Sequence, residues 1–515
     1  MSASPIALNT EVGAADKKLF AVSFAAIVAT SFCFVLRALV VDAWGVEFAL
    51  SETQKGELLG VGLWPFAITI VLLSLLIDHI GFKATFWFAA ACHAIGLALL
   101  LVATGYWTLY LGTFVMALGN GAVEAAANPL IATVYSHDKP RWLNRLHAGW
   151  PGGLILGGLF AIALGDHVGW RGKVALMALP IVVYSVLLIS RRFPLSERAA
   201  AGVPYREMLK EAGYLSALVI IALMMLEIGR VASLPGILTL IIIATLTAGY
   251  AFYSRSIGRP LYIILVLLMI PLATTELSTD SWISSLMEPE MRALGLQAGW
   301  VLVYTSAIVF VIRLFAGSII ARLTPLGTLA LASAAAAVGL SLLAGSTGLM
   351  LLAAATLYGI GKSFFWGTSL AVASEQFPRG GAVTLNVMAG AGMLAAGIVG
   401  SVLLGRLQDD ATANGLAAHD QANGTQLVGT YLTSRKLSIL GDYAALDASA
   451  VSSAPSQDKA LISGIEASGK KQALRLVALL PVLMLLVYGA LILFFRTRGG
   501  YRPVVLEGAR REASH

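Results

Sequence analysis

Five charged residues stand inside long apolar runs of the chain: Arg37, Glu124, Glu276, Asp280 and Lys362. An ionisable side chain at the centre of a membrane helix costs roughly 2.5–3.5 kcal/mol, so each is a functional candidate. Their types allow proton exchange, because a carboxylate balanced between a basic neighbour and apolar surroundings can take up and release a proton. Among the three carboxylates, we predict Glu124 as the first candidate for such a proton carrier and Glu276 as the second. Asp280 lies four residues after Glu276, on the same helix face.

A simpler interpretation is that these charges form static ion pairs that hold helices together. Arg37 and Lys362 also leave two roles open, as receptors for an anion or as countercharges of the carboxylates. For Lys362 we expect Glu276 as the partner. The letters Gly-Lys-Ser at Gly361–Ser363 match the end of a phosphate loop, but Thr356 stands where its first glycine belongs. The surrounding run is one hydrophobic helix, so we exclude nucleotide binding.

Uncharged polar and aromatic residues complete the predicted solute site. Asn128 and Asn386 are candidates because an amide in hydrocarbon still needs hydrogen-bond partners. Trp150, Trp282 and Trp366 could face the apolar surfaces of a bound solute, although such rings also serve as core or lipid-facing residues. No metal-ligand spacing and no nucleophile with its base is found. We therefore predict no cofactor, no metal and no enzymatic activity.

The composition places these residues in a membrane. Of 515 residues, 58% are apolar and 12% charged, whereas roughly a quarter are charged in a soluble domain. Apolar runs of about twenty residues match the roughly 30 Å of a bilayer core, and the backbone there has to be helical. The net charge of +7 is scattered through short loops, so we predict a lipid bilayer as partner and no nucleic acid.

The apolar windows predict an all-α polytopic membrane protein with fourteen transmembrane helices. They lie near 18–43, 55–77, 84–104, 107–134, 144–165, 172–191, 213–229, 233–253, 260–285, 297–321, 326–345, 348–374, 381–406 and 473–495. The predicted domains are a six-helix bundle (1–192), a cytoplasmic linker (193–212), an extra transmembrane hairpin (213–258) and a second six-helix bundle (259–515) with an external loop at 407–472.

Lys and Arg residues in the short loops fall on one side of this arrangement, which predicts a cytoplasmic face. Both termini are then cytoplasmic, and the protein is expected in the inner membrane. If only one helix of the extra hairpin crossed, the basic loops of the second bundle would face outward. This parity is the reason for counting both.

A loop between the second and third segments resembles a motif of the major facilitator superfamily. The stretch Ser74-x-x-x-Asp78-His79-x-Gly81-Phe82-Lys83 is similar to its Gly-x-x-x-Asp-Arg-x-Gly-Arg-Lys loop. A weaker echo in the second half is Arg313-x-x-x-Gly317-x-x-x-x-Arg322. The resemblance implies a gating role for Asp78, Gly81, Lys83, Arg313 and Arg322. It also implies two six-helix bundles around a cavity lined by segments 1, 4, 7 and 10, each of which carries one of the charges above.

A second resemblance narrows the branch of that superfamily. The run from Gly119 through Glu124 to Asn128-Pro129, followed by Leu143-Asn144-x-x-His147, resembles the fucose/glucose/galactose:proton symporters. It implies proton coupling and sugar binding at Glu124. His147 replaces the usual glutamine and Trp150 replaces an asparagine, so hexose specificity does not follow.

Together these features predict a monomeric secondary active transporter that moves protons and a small polar solute, a sugar or sugar derivative, by alternating access. One alternative is an organic-anion transporter or exchanger, for a sugar acid or a nitrate-like ion, with Arg37 and Lys362 as anion receptors. An alternative of another class is a membrane sensor that transports nothing.

Overall fold

A computed structural model of the chain describes residues 12–48, 58–164, 167–295, 300–432 and 443–505. Within these ranges the regular structure is helical, apart from an isolated bridge between Leu432 and Leu446. The first half contains α1 (Val12–Glu47), α2 (Trp64–Ile80), α3 (Phe82–Leu101), α4 (Tyr106–Val134), α5 (Lys139–His147), α6 (Gly149–Leu164), α7 (Trp170–Ala175) and α8 (Ala178–Leu188).

The middle and the second half of the chain are also helical. The middle contains α9 (Glu197–Ala200), α10 (Tyr205–Val231) and α11 (Gly236–Ser254). The second half contains α12 (Pro260–Ala273), α13 (Thr279–Leu286), α14 (Glu288–Ala293), α15 (Trp300–Leu323), α16 (Pro325–Leu343), α17 (Met350–Lys362), α18 (Phe365–Gln376), α19 (Gly381–Leu394), α20 (Ser401–Asn423), α21 (Leu427–Tyr431), α22 (Ala448–Ser452), α23 (Ser456–Val477) and α24 (Leu479–Thr497).

Eleven helical segments of the described residues are long and apolar enough to cross a membrane. The other predicted crossings are helical but interrupted or more polar. α4 carries Asn120, Glu124 and Asn128 in its middle, α6 has 16 residues, and the segment containing Lys362 is divided into α17 and α18. The protein is therefore an all-helical membrane protein, and the count of fourteen crossings stays a prediction.

The two halves meet along a few helix pairs. α2 packs on α19, and α15 packs on α5 and α6. Within the first half, α1 packs on α6 and α4 packs on α2 and α3. α4, which carries Glu124, also packs on α19 of the second half, and the side chains of Glu124 and Glu276 are both buried.

The predicted extra hairpin corresponds to α10 and α11, which pack against each other, while α10 also packs on α19. α10 starts at Tyr205 and kinks at Gly213, whose φ of 70° is a left-handed conformation. The amphipathic part of the predicted linker is therefore the first turns of the same helical element. Whether both helices cross a membrane stays a prediction.

The segment predicted as an external loop at 407–472 is largely helical, and its place outside the membrane stays a prediction. α20 and α23 pack against each other, and a small cluster of buried side chains lies beside them: Leu416, Leu427, Tyr431, Ala454 and Ile462. The low mean hydropathy of this segment hid its helices, because a few apolar residues at helical spacing suffice for one buried stripe.

Gly153 sets the distance between α1 and α6. A Cβ at this position would lie 2.0 Å from Ser31 Oγ and 2.5 Å from the Val28 carbonyl oxygen. Small residues at such contacts let membrane helices approach closely. The Gly-rich start of α6 is therefore needed for its packing on α1.

We expect Gly153→Ala to lower the thermal unfolding temperature, because overpacking costs about 1–3 kcal/mol. Gly489→Ala in α24 is the matched control, since a Cβ there meets nothing within 4 Å and alanine is the better helix former. Tryptophan fluorescence of the detergent-solubilised protein measures both. Equal melting of Gly153→Ala and wild type would show that the α1–α6 contact yields without cost.

Candidate functional site

A small cavity lies between the two halves. Its lining residues come from both: Phe66, Glu124, His147 and Trp150 from the first half, and Glu276, Leu277, Arg313, Trp366 and Met393 from the second. Four of the residues predicted to bind the proton or the solute, Glu124, Glu276, Trp150 and Trp366, are among them, together with Arg313, which was predicted to belong to a gate. Because both halves contribute side chains, a relative movement of the halves changes the site itself.

Glu124 lies in the middle of α4 and is 4% exposed. Asn128, one turn on, donates Nδ2–H to its Oε2 at 2.8 Å. The other end of the same amide, Asn128 Oδ1, lies 2.9 Å from His147 Nε2. Among the described residues the hydrogen-bond partner of this carboxylate is thus a neutral amide rather than a cation. A carboxylate so placed can exist in either protonation state without losing a salt bridge.

Pro129 explains the place of Asn386. A proline inside a helix leaves the carbonyl four residues earlier without its backbone donor, and here that carbonyl belongs to Ala125. Asn386 Nδ2 of α19 donates to the Ala125 oxygen at 2.9 Å, while Asn386 Oδ1 has no protein partner in the described part of the chain. Asn386, predicted as a solute ligand, therefore joins the two halves behind Glu124.

Glu276 lies in a single π-helical turn, Thr274–Ser278, that follows α12. Such turns are frequent at functional sites. Arg313 Nη2 donates to Glu276 Oε1 at 2.5 Å, and the second oxygen, Oε2, has no protein partner among the residues described. This carboxylate, unlike Glu124, is neutralised by a cation.

Arg313 connects the halves. Its Nη1 donates to the His147 carbonyl at 3.0 Å, and its Nε donates to the Ser363 carbonyl at 2.9 Å, in the break between α17 and α18. A polar chain therefore runs from Glu124 through Asn128, His147 and Arg313 to Glu276. The two carboxylates at its ends belong to different halves.

Lys362 pairs with Asp280, not with Glu276 as the sequence predicted. The Lys362 side chain is 1% exposed and that of Asp280 is 20% exposed, and the Tyr358 ring lies 5.0 Å from Lys362 Nζ. The prediction was wrong because Glu276 is already paired with Arg313. The carboxylate one turn further along the same face then takes the lysine.

The predicted aromatic residues divide between cavity and packing. Trp150 packs against Phe34 and Phe66, with ring centroids 5.9 Å and 6.3 Å away, and Trp366 lies 6.4 Å from the His147 ring. Trp282 lies beside Gly405 of α20 and is not among the lining residues. Two of the three tryptophans thus form the cavity wall.

The residues of the motif loop lie at one end of the molecule, called here the linker end, where α2 ends and residues 193–204 pass. Asp78 accepts hydrogen bonds from Ser196 at 2.7 Å and from Arg198 Nη2 and Nε at 2.6 and 2.8 Å. Gly81, with a φ of 82°, ends α2, and Lys83 is exposed. Asp78 therefore holds the segment that connects the halves.

Direct contacts between the halves close the same end. Lys139 Nζ binds Glu197 Oε2 at 2.7 Å and the Ser374 carbonyl at 3.3 Å, and Asn144 Nδ2 donates to Thr368 Oγ1 at 3.0 Å. Arg322, the last predicted gating residue, is exposed at the end of α15. Arg313 is not at this end but in the cavity wall, although the sequence grouped the two.

Two site residues were missed as such by the sequence, and one of them had a usable signal. Arg313 stands in the middle of the apolar run Trp300–Leu323, so it met the same criterion as the five charges above, but the spacing to Gly317 and Arg322 assigned it to a gate. His147 had no such signal, because it ends the polar helix α5. Of the described residues, no group of three His, Cys, Asp or Glu could hold a metal ion.

A family model described as Major Facilitator Superfamily matches residues 19–401. No curated protein sequence matches the chain closely enough to count as a relative. Solved structures share the fold at low identity. The E. coli transporter FucP in its outward conformation, which is a fucose:proton symporter, aligns at 14% identity with a TM-score of 0.54, covering 90% of this chain and 98% of its own.

Two further structures are similar over most of their length. The proton:xylose symporter XylE of E. coli, bound to 6-bromo-6-deoxy-D-glucose, has 14% identity and a TM-score of 0.60, with 93% of this chain and 96% of its own covered. The human organic anion transporter MFSD10 has 12% identity and a TM-score of 0.56, with 92% and 99% covered. At such identities the likeness concerns the fold alone.

Proposed function

The chain belongs to the major facilitator superfamily, and from this premise we propose that it is a proton-coupled secondary active transporter of a small polar solute, a sugar or sugar derivative. The observation that carries the proposal is Glu124, a buried carboxylate with a neutral hydrogen-bond partner in a cavity between two halves. Transporter sites lie at such interfaces between repeats. The similar structures FucP and XylE, described as sugar:proton symporters, support it.

Arg313 supplies the coupling in this proposal. It lines the same cavity as Glu124, and its bond to the His147 carbonyl spans the halves. Ionised Glu124 attracts Arg313 toward the first half, and a proton on Glu124 removes that attraction. Proton and solute have to favour the same conformational state, because a ligand that binds both states equally shifts nothing.

The cavity suits a small solute. It lies between the two halves, where transporters bind their solutes. Phe66, Trp150 and Trp366 offer flat apolar faces, and Glu124 and His147 offer hydrogen-bonding groups beside them. This mixture fits a sugar ring, which has apolar faces and a polar edge. Lys362 is already neutralised by Asp280, which weakens its part in the organic-anion alternative.

We place the linker end in the cytoplasm, with both termini on that side of an inner membrane, fourteen crossings and a monomeric chain. Asp78, Gly81, Lys83 and Arg322 then belong to the cytoplasmic gate. In this orientation the contacts of Lys139 and Asn144 hold that gate shut. Opening it requires these contacts to break while the halves rock about the cavity.

The test is uptake of labelled solutes, hexoses against sugar acids, into vesicles that contain the purified protein. We expect accumulation when the lumen is made alkaline, and its collapse when a protonophore removes the gradient. Empty vesicles give the background. Uptake that ignores the imposed gradient would contradict proton coupling, and absence of flux for every solute would favour the membrane-sensor alternative.

A further inference from the structure

Arg37 is a buried cation without a counterion in the described chain. It is 3% exposed, and its Nε donates to the carbonyl of Cys33, one turn earlier in α1, at 3.3 Å. No carboxylate among the described residues pairs with it, and no described acceptor meets its two terminal nitrogens. Buried charges in proteins are otherwise paired, since an isolated one is costly. The guanidinium therefore has donors available for a ligand.

α1 relates the position of Arg37 to the aromatic wall of the cavity. Arg37 follows Phe34 by three residues, hence on the same face of α1 and about 4.5 Å further along it. Phe34 packs against Trp150, which lines the cavity. Arg37 thus stands one helical turn from the wall, on the side away from the linker end.

Gly62 makes room for the guanidinium at this level. A Cβ on Gly62 would lie 2.6 Å from Arg37 Nη1 and 2.8 Å from Nη2. Its chain neighbour Leu63 faces the second half, because a Cβ on Gly397 would lie 3.8 Å from Leu63 Cβ. The terminal nitrogens are therefore held against the chain just before α2, next to a residue that faces the second half.

The other charged residues around the cavity show what the positive charge of Arg37 can do. Glu276 pairs with Arg313 and Asp280 pairs with Lys362, so each pair is neutral. Among these described residues, the charges that are left are Arg37, positive, and Glu124, negative when ionised. A proton on Glu124 leaves the site with one excess positive charge, and a solute with one negative charge restores neutrality. In a low-dielectric site, neutrality favours binding of proton and anion together.

We propose that Arg37 binds the acidic group of the solute, and that one monocarboxylate moves with one proton in an electroneutral step. This inference rests on the proposed proton-coupled transport and names its substrate class, a polyhydroxy carboxylate rather than a neutral sugar. The carboxylate oxygens accept hydrogen bonds from Arg37 Nη1 and Nη2, in the two-pronged geometry that guanidinium and carboxylate share. The remainder of the solute lies between Phe66, Trp150 and Trp366.

Binding is tested with matched probes, D-glucuronate and D-glucose, and with D-gluconate and lactate, on the purified protein. We expect the acids to raise the unfolding temperature more than glucose does. Arg37→Gln should weaken acid binding about 10- to 150-fold, the span of a lost charged hydrogen bond, and Arg37→Lys should restore part of it. Arg171→Gln, at an exposed ion pair, is the control and should bind as wild type. Binding of glucose alone, of none of the acids, or of acids equally in Arg37→Gln would overturn the inference.

Transport against a membrane potential gives an independent readout. At a fixed pH gradient, we expect valinomycin-clamped potentials of zero and about 100 mV to give the same accumulation. A step that carries one net charge would instead change accumulation by about 50-fold. Potential-dependent uptake of a neutral sugar would overturn the anion subsite and leave proton coupling intact. Uptake indifferent to the pH gradient would overturn the proposed function itself.

Discussion

Replacing Glu124 with glutamine is expected to abolish proton-driven accumulation while leaving exchange of solute across the membrane. Glutamine has the shape of the protonated carboxyl but holds no exchangeable proton. The side-chain oxygen of the new glutamine can accept the hydrogen that Asn128 Nδ2 now donates to Glu124, so the packing around the site is kept. The variant should therefore behave as a protein fixed in its protonated state.

The size of the loss follows from coupling energetics. Two coupled ligands change each other's binding by about 5- to 150-fold, and we expect the accumulation ratio in an alkaline-lumen vesicle to fall by that amount. Exchange of labelled for unlabelled solute, measured without a gradient, should stay near wild type. This exchange separates a coupling defect from a misfolded or empty site.

Glu466→Gln is the matched control, because Glu466 is exposed on α23. It makes the same chemical change outside the cavity and should leave both measurements unchanged. If Glu124→Gln still accumulated solute as wild type does, the proton would have to move through Glu276, the second candidate. Loss of accumulation and exchange together would assign Glu124 to solute binding instead.

The Arg313–Glu276 pair is expected to have the largest effect on stability. Both side chains are buried, at 2% and 7% exposure. Removing one partner of a buried ion pair leaves a buried charge uncompensated and costs about 3–5 kcal/mol. Arg313→Gln should therefore lower the thermal unfolding temperature strongly, and it also removes the bond to the His147 carbonyl that joins the halves.

A double variant distinguishes charge from packing. Arg313→Leu combined with Glu276→Leu removes both charges, and replacement of a complete buried pair by apolar residues is often neutral or stabilising. We expect it to recover most of the stability but no transport. Arg171→Gln, which breaks an exposed pair with Glu47, should melt as wild type, because exposed pairs contribute little. Equal melting of Arg313→Gln and Arg171→Gln would mean that water reaches and solvates Glu276.

The amino-acid sequence was sufficient to identify the class of the protein and most of its candidate functional residues. Apolar runs are a local property, since each has to cover the bilayer on its own, and the family resemblance follows from short motifs. A charged residue inside such a run can likewise be recognised from its neighbours in the sequence. Glu124, Glu276 and Lys362 are indeed buried around the centre of the molecule.

Which charged residues form ion pairs could be seen in the three-dimensional fold but not in the sequence. Lys362 and Arg313 compete for the carboxylates of one helix face, and the outcome depends on where α15 and the break after α17 lie relative to the turn at Thr274–Ser278. Asn386, which lies in the second half, donates to the Ala125 carbonyl of the first half, which Pro129 leaves without a backbone donor. His147 joins the site because α5 packs under α15. Partners far apart in sequence are chosen by packing geometry, and that geometry has no counterpart in any local pattern.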